Sequence, residues 1–213
     1  MDLKGNLFIE GPAGPLEALL KESHGEVRRA AVVSHPHPLF GGTMHNKVVY
    51  RIAKAFHDTG FAVLRFNFRG TQQSAGSHDY GRGEMDDLRA ALHFIEQRYP
   101  KAELWAAGFS FGAAVTLKTA CSDARVRALV LAGLPVSKFG EYELSQGALC
   151  EKPKLLMQGA NDQFGSVADL ERFYESLSGE KQMKVIADAD HFFEGQLHQL
   201  YDAVREFIAV QPQ

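Results

Sequence analysis

The stretch Leu104-Trp105-Ala106-Ala107-Gly108-Phe109-Ser110-Phe111-Gly112-Ala113-Ala114 decides the reading of this chain. A short apolar run, the pattern of a strand buried on both faces, feeds a Gly-x-Ser-x-Gly pentad, and helix-forming residues follow at once. That order is the strand, sharp turn and helix of a nucleophile elbow. The elbow needs Ser110 in a left-handed backbone conformation, with its hydroxyl projecting from the end of a sheet. Gly108 and Gly112 stand where strand and helix come too close for a Cβ, and Ala113 and Ala114 keep the first helical turn thin.

The rest of the chain supplies the expected surroundings. Residues 7–10 and 16–20 are two apolar segments around Gly11-Pro12-Ala13-Gly14, read as an antiparallel hairpin at a sheet edge. From residue 30 the pattern becomes continuous apolar runs alternating with amphipathic stretches, as a parallel sheet buried on both faces requires. Strands are expected at 30–34, 61–66, 104–109, 126–132, 154–158 and 183–186. Helices are expected at 46–57 (capped by Asn46), 84–99 (closed by Pro100), 111–121, 166–177 and 196–210. The alternation gives an α/β fold, a mostly parallel central sheet with helices on both faces and sites at the carboxyl ends of its strands. The stretch 133–153 has no clear pattern and is too short for a separate lid, so an open site without a cap domain is expected.

The 213 residues, 45% hydrophobic and 23% charged, fit one domain spanning 1–213. A net charge of −3 with scattered basic residues gives no electrostatic reason to expect nucleic acid or an anionic membrane as partner. Asp2, Lys4, Asn6 and Glu10 interrupt any signal-like apolar segment, and no run of about 18 apolar residues occurs. A soluble, cytoplasmic protein is the expectation. Cys121 and Cys150 have neither framework nor metal spacing and are expected to be reduced.

A serine hydroxyl is a poor nucleophile near neutral pH; it needs a base within reach and a carboxylate to orient that base. Asp162 follows the 154–158 strand in the turn Gly159-Ala160-Asn161-Asp162, and His191 follows the last strand in Asp188-Ala189-Asp190-His191-Phe192-Phe193. The order Ser110, Asp162, His191 is the one this type of sheet uses. Asp188 and Asp190 compete as the orienting acid, but adjacency to His191 tends to point side chains apart. Asp162 as a mere turn residue is the alternative for that position.

Ser34-His35-Pro36-His37-Pro38-Leu39-Phe40-Gly41-Gly42 follows the first parallel strand, where a second oxyanion donor belongs beside the amide of Phe111. Pro36 and Pro38 have no N–H, which leaves His37, preferred, or Leu39. The competing metal reading of His35 and His37 lacks a third ligand nearby, so no metal and no cofactor are expected. Leu39, Phe40, Arg69 and Phe109 are candidate substrate contacts. Asn67-Phe68-Arg69-Gly70 leads into a glycine-bearing loop, 71–83, and Arg69 either anchors a substrate carboxylate or ties down loop carbonyls.

Taken together, His35-Pro36-His37-Pro38 with Gly41-Gly42, Asn67-Phe68-Arg69-Gly70, the Ser110 pentad, Gly159-Ala160-Asn161-Asp162 and Asp190-His191-Phe192-Phe193 resemble the α/β-hydrolase superfamily. The resemblance covers residues 30–193 and is to its lidless bacterial serine esterases and dienelactone-hydrolase-like branch. It implies Ser110 as nucleophile, Asp162 as acid and His191 as base. The chain departs from dienelactone hydrolases proper in carrying serine rather than cysteine at the elbow. The expectation is a carboxylic ester hydrolase acting on small-molecule esters through an acyl-enzyme. A thioesterase or small-peptide hydrolase with the same machinery, a non-catalytic binding module and a metal hydrolase using His35 and His37 are the alternatives.

Overall fold

The computed structural model describes residues 7–138 and 144–212. Residues 139–143, inside the unpatterned 133–153 stretch, and Asp2, Lys4 and Asn6 lie outside the described residues. Eight strands form one sheet: β1 (Leu7–Ile9), β2 (Leu16–Lys21), β3 (Arg29–Ser34), β4 (Ala62–Phe66), β5 (Glu103–Phe109), β6 (Val126–Ala132), β7 (Lys154–Gly159) and β8 (Lys181–Ile186). Their spatial order is β1-β2-β4-β3-β5-β6-β7-β8. The β1/β2 and β2/β4 pairs are antiparallel, and every pair from β4/β3 to β7/β8 is parallel.

Among the described residues, five α-helices cover the sheet: α1 (Lys47–Asp58), α2 (Arg82–Arg98), α3 (Phe111–Ala120), α4 (Val167–Ser176) and α5 (Leu197–Val210). Alternation along each strand divides the core. Ala30 and Val32 of β3 and Leu104 and Ala106 of β5 face α2, α3 and α4, whereas Ala31, Val33, Trp105, Ala107 and Phe109 face α1 and α5. Trp105, 1% exposed, meets the rings of Phe56, Phe61 and Phe207 edge-on at 5.4–5.8 Å centroid separation.

Most boundaries lie within one residue of the sequence reading, and two differ by two residues for local reasons. Helix α2 starts two residues earlier than 84, because the buried Glu84 carboxylate accepts the amides of Asp79 (2.9 Å) and Gly81 (2.7 Å) and so caps the helix from inside. Strand β8 starts at Lys181 rather than 183; it is an edge strand, half-exposed along its length, and its polar residues carry no apolar run to read.

The cysteines are a correction. Cys121, at the end of α3, and Cys150, ahead of β7, form a disulfide with Cα atoms 5.2 Å apart. Between β6 and β7 the described residues form two 3-10 turns, Val136–Lys138 and Leu144–Leu149, with no cap domain. Among the described residues, no helix is long and apolar enough to cross a membrane.

Candidate active site

Ser110 sits between β5 and α3 with φ +55° and ψ −121°, a conformation a non-glycine residue adopts only when its surroundings enforce it. Its N–H donates to the carbonyl of Ala132 (2.9 Å), and its own carbonyl accepts the amides of Ala113 (2.9 Å) and Ala114 (3.1 Å). The flanking glycines are steric necessities. A Cβ on Gly108 would lie 2.3 Å from the Gly112 carbonyl oxygen, and one on Gly112 would lie 2.4 Å from that of His35.

Three loops at the carboxyl edge then converge. His191 Nε2 lies 2.9 Å from Ser110 Oγ, and His191 Nδ1 lies 2.7 Å from Asp162 Oδ2. His191 and Asp162 are 3% and 7% exposed. The carboxylate is held on all sides: Oδ2 also accepts Gln158 Nε2 (2.9 Å), and Oδ1 accepts the amides of Phe164 (2.8 Å) and Gly165 (3.2 Å). Asp162 is therefore a turn residue and the imidazole's partner at once. Asp190, its competitor, spends Oδ1 on the amides of Phe192 (2.9 Å) and Glu194 (3.0 Å), and Asp188 is exposed. The His191 ring is boxed by phenyl rings, with Phe109, Phe164 and Phe192 centroids at 5.1, 4.7 and 5.3 Å.

The loop after β3 lies on the other side of Ser110. His35 is fully buried; its Nδ1 bonds the Pro36 carbonyl (2.6 Å) and its Nε2 accepts the Phe68 amide (2.9 Å). Both ring nitrogens are thus committed to the backbone, and burial first of all pushes the imidazole pKa down to about 3. The Leu39 amide donates to His37 Nδ1 (3.2 Å), while the His37 carbonyl accepts the amides of Phe40 and Gly42, both at 3.1 Å. Leu39's amide, the alternative to His37's as second oxyanion donor, is thus spent on a side chain. Phe111, the first residue of α3, packs its ring against that of His37 at 4.9 Å.

A cavity of about 320 Å³ opens over Ser110 and His191, lined by Pro36, His37, Phe40, Gly41, Gly42, Asn46, Pro135, Phe164 and Phe192. Of the proposed substrate contacts, Phe40 lines it. Leu39 is exposed outside the lining, and Phe109 is buried behind the His191 ring. Arg69 needs correcting: its Nε (3.0 Å) and NH2 (2.7 Å), with its amide (2.9 Å), bond the buried Asp87 carboxylate, so it neither faces the cavity nor ties loop carbonyls. Asn46, Pro135, Phe164 and Phe192 were not singled out as contacts; Phe192, apolar, next to His191 and in a loop, carried a usable signal. A second cavity, about 440 Å³, is lined by Val136, Ser137, Asp169, Arg172, Phe173 and Ser176. It contains neither Ser110 nor His191, and its Arg172 is paired with Asp169.

The arrangement couples a carboxylate, an imidazole and a hydroxyl in one hydrogen-bonded line beside the amide-bearing end of a helix. Such a line can move a proton off the hydroxyl and return it. Comparison with known proteins agrees with the fold. The chain is 34% identical over 208 residues to an uncharacterised protein of Rickettsia prowazekii, covering 95% of this chain and 87% of that one. It is similar to the structure of an alpha-beta serine hydrolase homologue from Coxiella burnetii (34% identity, TM-score 0.89, 97% and 98% of the two chains). It is also similar to a Xanthomonas campestris member of the a/b serine hydrolases without lid (34%, TM-score 0.87, 98% and 96%). A family model described as an alpha/beta hydrolase domain matches residues 31–204, and with the elbow, the sheet order and the missing cap already in view, the chain belongs to that family, in its lidless branch.

Proposed function

We propose that this one-domain chain is a serine hydrolase of small carboxylic esters. One observation carries the reading: the unbroken line from Asp162 Oδ2 through His191 to Ser110 Oγ, with links of 2.7 and 2.9 Å. In this reading His191 Nε2 takes the Ser110 proton as Oγ attacks the ester carbonyl carbon. The oxyanion that forms is held by the backbone N–H groups of Phe111 and His37. Collapse breaks the bond to the alcohol oxygen, which leaves with the proton from His191. Water, deprotonated by the same imidazole, then releases the acid from the acyl-enzyme. Asp162 fixes the tautomer with N–H at Nδ1 and stabilises the imidazolium, without itself taking the proton.

The test is turnover of short-chain aryl esters, together with labelling by a fluorophosphonate, in wild type and Ser110→Ala. Loss of both in the variant is expected; turnover surviving the substitution refutes the assignment. The metal alternative loses its support where both His35 nitrogens bond the backbone. A cytoplasmic location is part of the proposal, tested by cell fractionation. The Cys121–Cys150 bridge weighs against it, because structural disulfides are rare in reducing compartments.

A further inference from the structure

The cavity over Ser110 has two different walls. On the side of the β3 loop stand His37, Phe40, Gly41, Gly42 and Asn46; on the side of the imidazole stand Pro135, Phe164 and Phe192. Phe164 and Phe192 are 41% and 46% exposed, yet both keep edge-on contact with the His191 ring. Two large apolar side chains left open to water at one mouth point to a ligand surface. Among the described residues, no Asp, Glu, Lys or Arg lines the cavity, and Arg69, the cationic candidate of the sequence reading, is locked to Asp87.

Position relative to the proton decides which half of a substrate this wall meets. The proton carried by His191 Nε2 goes to the departing alcohol oxygen, so the alcohol half must lie beside the imidazole. The acyl carbonyl oxygen points away from it, toward the Phe111 and His37 amides. Resting on the ester-hydrolase reading, we propose that Phe164 and Phe192, with Pro135, form a leaving-group pocket selecting esters of uncharged, apolar alcohols, aromatic ones above all. Two exposed phenyl rings lining one cavity suit a third ring in edge-to-face contact. An anionic or cationic alcohol half would lose hydration there and gain no ion pair from the described lining.

The step balances without any further reagent. Ser110 Oγ bonds the acyl carbon, the carbon–oxygen bond to the alcohol breaks, and the alcohol oxygen receives the proton taken from Oγ. Because the alcohol is gone from the acyl-enzyme, the pocket acts on acylation and is silent in deacylation. A merely structural role for these phenyl rings would lower turnover of every ester alike and leave the ratio between alcohols unchanged.

The experiment uses the full chain and acetate esters sharing one acyl group: ethyl, cyclohexyl, benzyl, 4-carboxybenzyl and choline. Wild type is expected to prefer benzyl acetate in kcat/KM over ethyl acetate and over both charged esters. Phe192→Ala and Phe164→Ala are expected to lower the benzyl-to-ethyl ratio about 10-fold, and Phe192→Leu to restore part of it; both esters use the same imidazole and the same acyl group, so a general disturbance of His191 cancels from the ratio. An unchanged ratio in both alanine variants, or a wild-type preference for a charged alcohol, overturns the pocket while turnover and fluorophosphonate labelling persist. Absence of turnover and labelling in the wild type overturns instead the ester reading on which it rests.

Discussion

His35 Nε2 accepts the amide hydrogen of Phe68 at 2.9 Å, tying the loop after β3 to the loop after β4 through a side chain with no exposure. The bond requires a neutral ring with its proton on Nδ1, where the Pro36 carbonyl accepts it at 2.6 Å. Burial holds the folded pKa near 3, against 6.5 for the free side chain. Below pH 6.5 the unfolded chain therefore binds a proton that the folded chain refuses, until the pH nears 3. Stability must fall as pH falls through that window, by up to about 1.4 kcal/mol per pH unit from this group alone. Urea unfolding of wild type and His35→Asn between pH 7 and pH 4 is expected to show a shallower decline in the variant. Parallel declines would show that His35 binds its proton equally in both states.

Gly42 is the second fixed point of that loop. A Cβ there would stand 2.1 Å from the Pro36 carbonyl oxygen and 2.7 Å from that of His37, both backbone atoms that cannot step aside alone. Gly42→Ala must displace the 36–42 turn, and with it the amide of His37. The expected result is a fall in kcat of about 10²-fold or more, the cost of losing one oxyanion donor, with KM changed much less. Steady-state kinetics on a short-chain aryl ester measures it, and a variant with wild-type kcat removes His37 from the oxyanion site.

What the sequence could and could not reveal follows from the range of the interactions. The Ser110 elbow is legible because its constraint is local: close backbone approach forces glycine at 108 and 112, and the pentad is flanked by its own strand and helix. Asp162 and His191 are legible as strand-end residues, since a parallel sheet gathers its strand ends at one edge. Partners set by tertiary packing left no periodic mark. Arg69 and Asp87 meet only once α2 is docked on the sheet, Gln158 reaches Asp162 from inside a buried strand, and Cys121 meets Cys150 across β6 and a stretch without pattern. Phe164 is not legible because an exposed aromatic in a loop obeys no repeat, whereas Phe192 is marked only by its place next to His191.

Asp162 is held by three donors besides His191, two of them backbone amides, so its position does not depend on His191. Asp162→Asn should keep the turn but offers an N–H or a neutral oxygen to His191 Nδ1, which disturbs the tautomer and leaves the imidazolium without its counter-charge. A drop in kcat of about 10³–10⁴ near neutral pH is expected, with an unchanged melting temperature within a few degrees. Gln158→Leu removes one neutral donor to the same oxygen and should cost far less. Comparable losses in the two variants would mean that Asp162 serves the fold and not the imidazole.

The Cys121–Cys150 bridge closes a loop with a sequence separation of 29, running from the end of α3 through β6 to the approach to β7. In the chain-entropy account such a closure stabilises the folded state by about 3–4 kcal/mol. For a chain of this size that is roughly 6–16 °C in Tm. Neither cysteine touches Ser110, His191 or Asp162, and Lys154 Nζ donates to the Cys150 carbonyl at 2.6 Å, holding the backbone at Cys150 whether or not the sulfurs are joined. Reduction, or Cys150→Ser, is therefore expected to lower the Tm by that amount while kcat at 25 °C stays within about twofold. Calorimetry with and without dithiothreitol measures the first, and thiol titration of the denatured, unreduced protein should find no free thiol. Two titratable thiols in that sample, with no reductant effect on Tm, would show that the two sulfurs stay unjoined in solution.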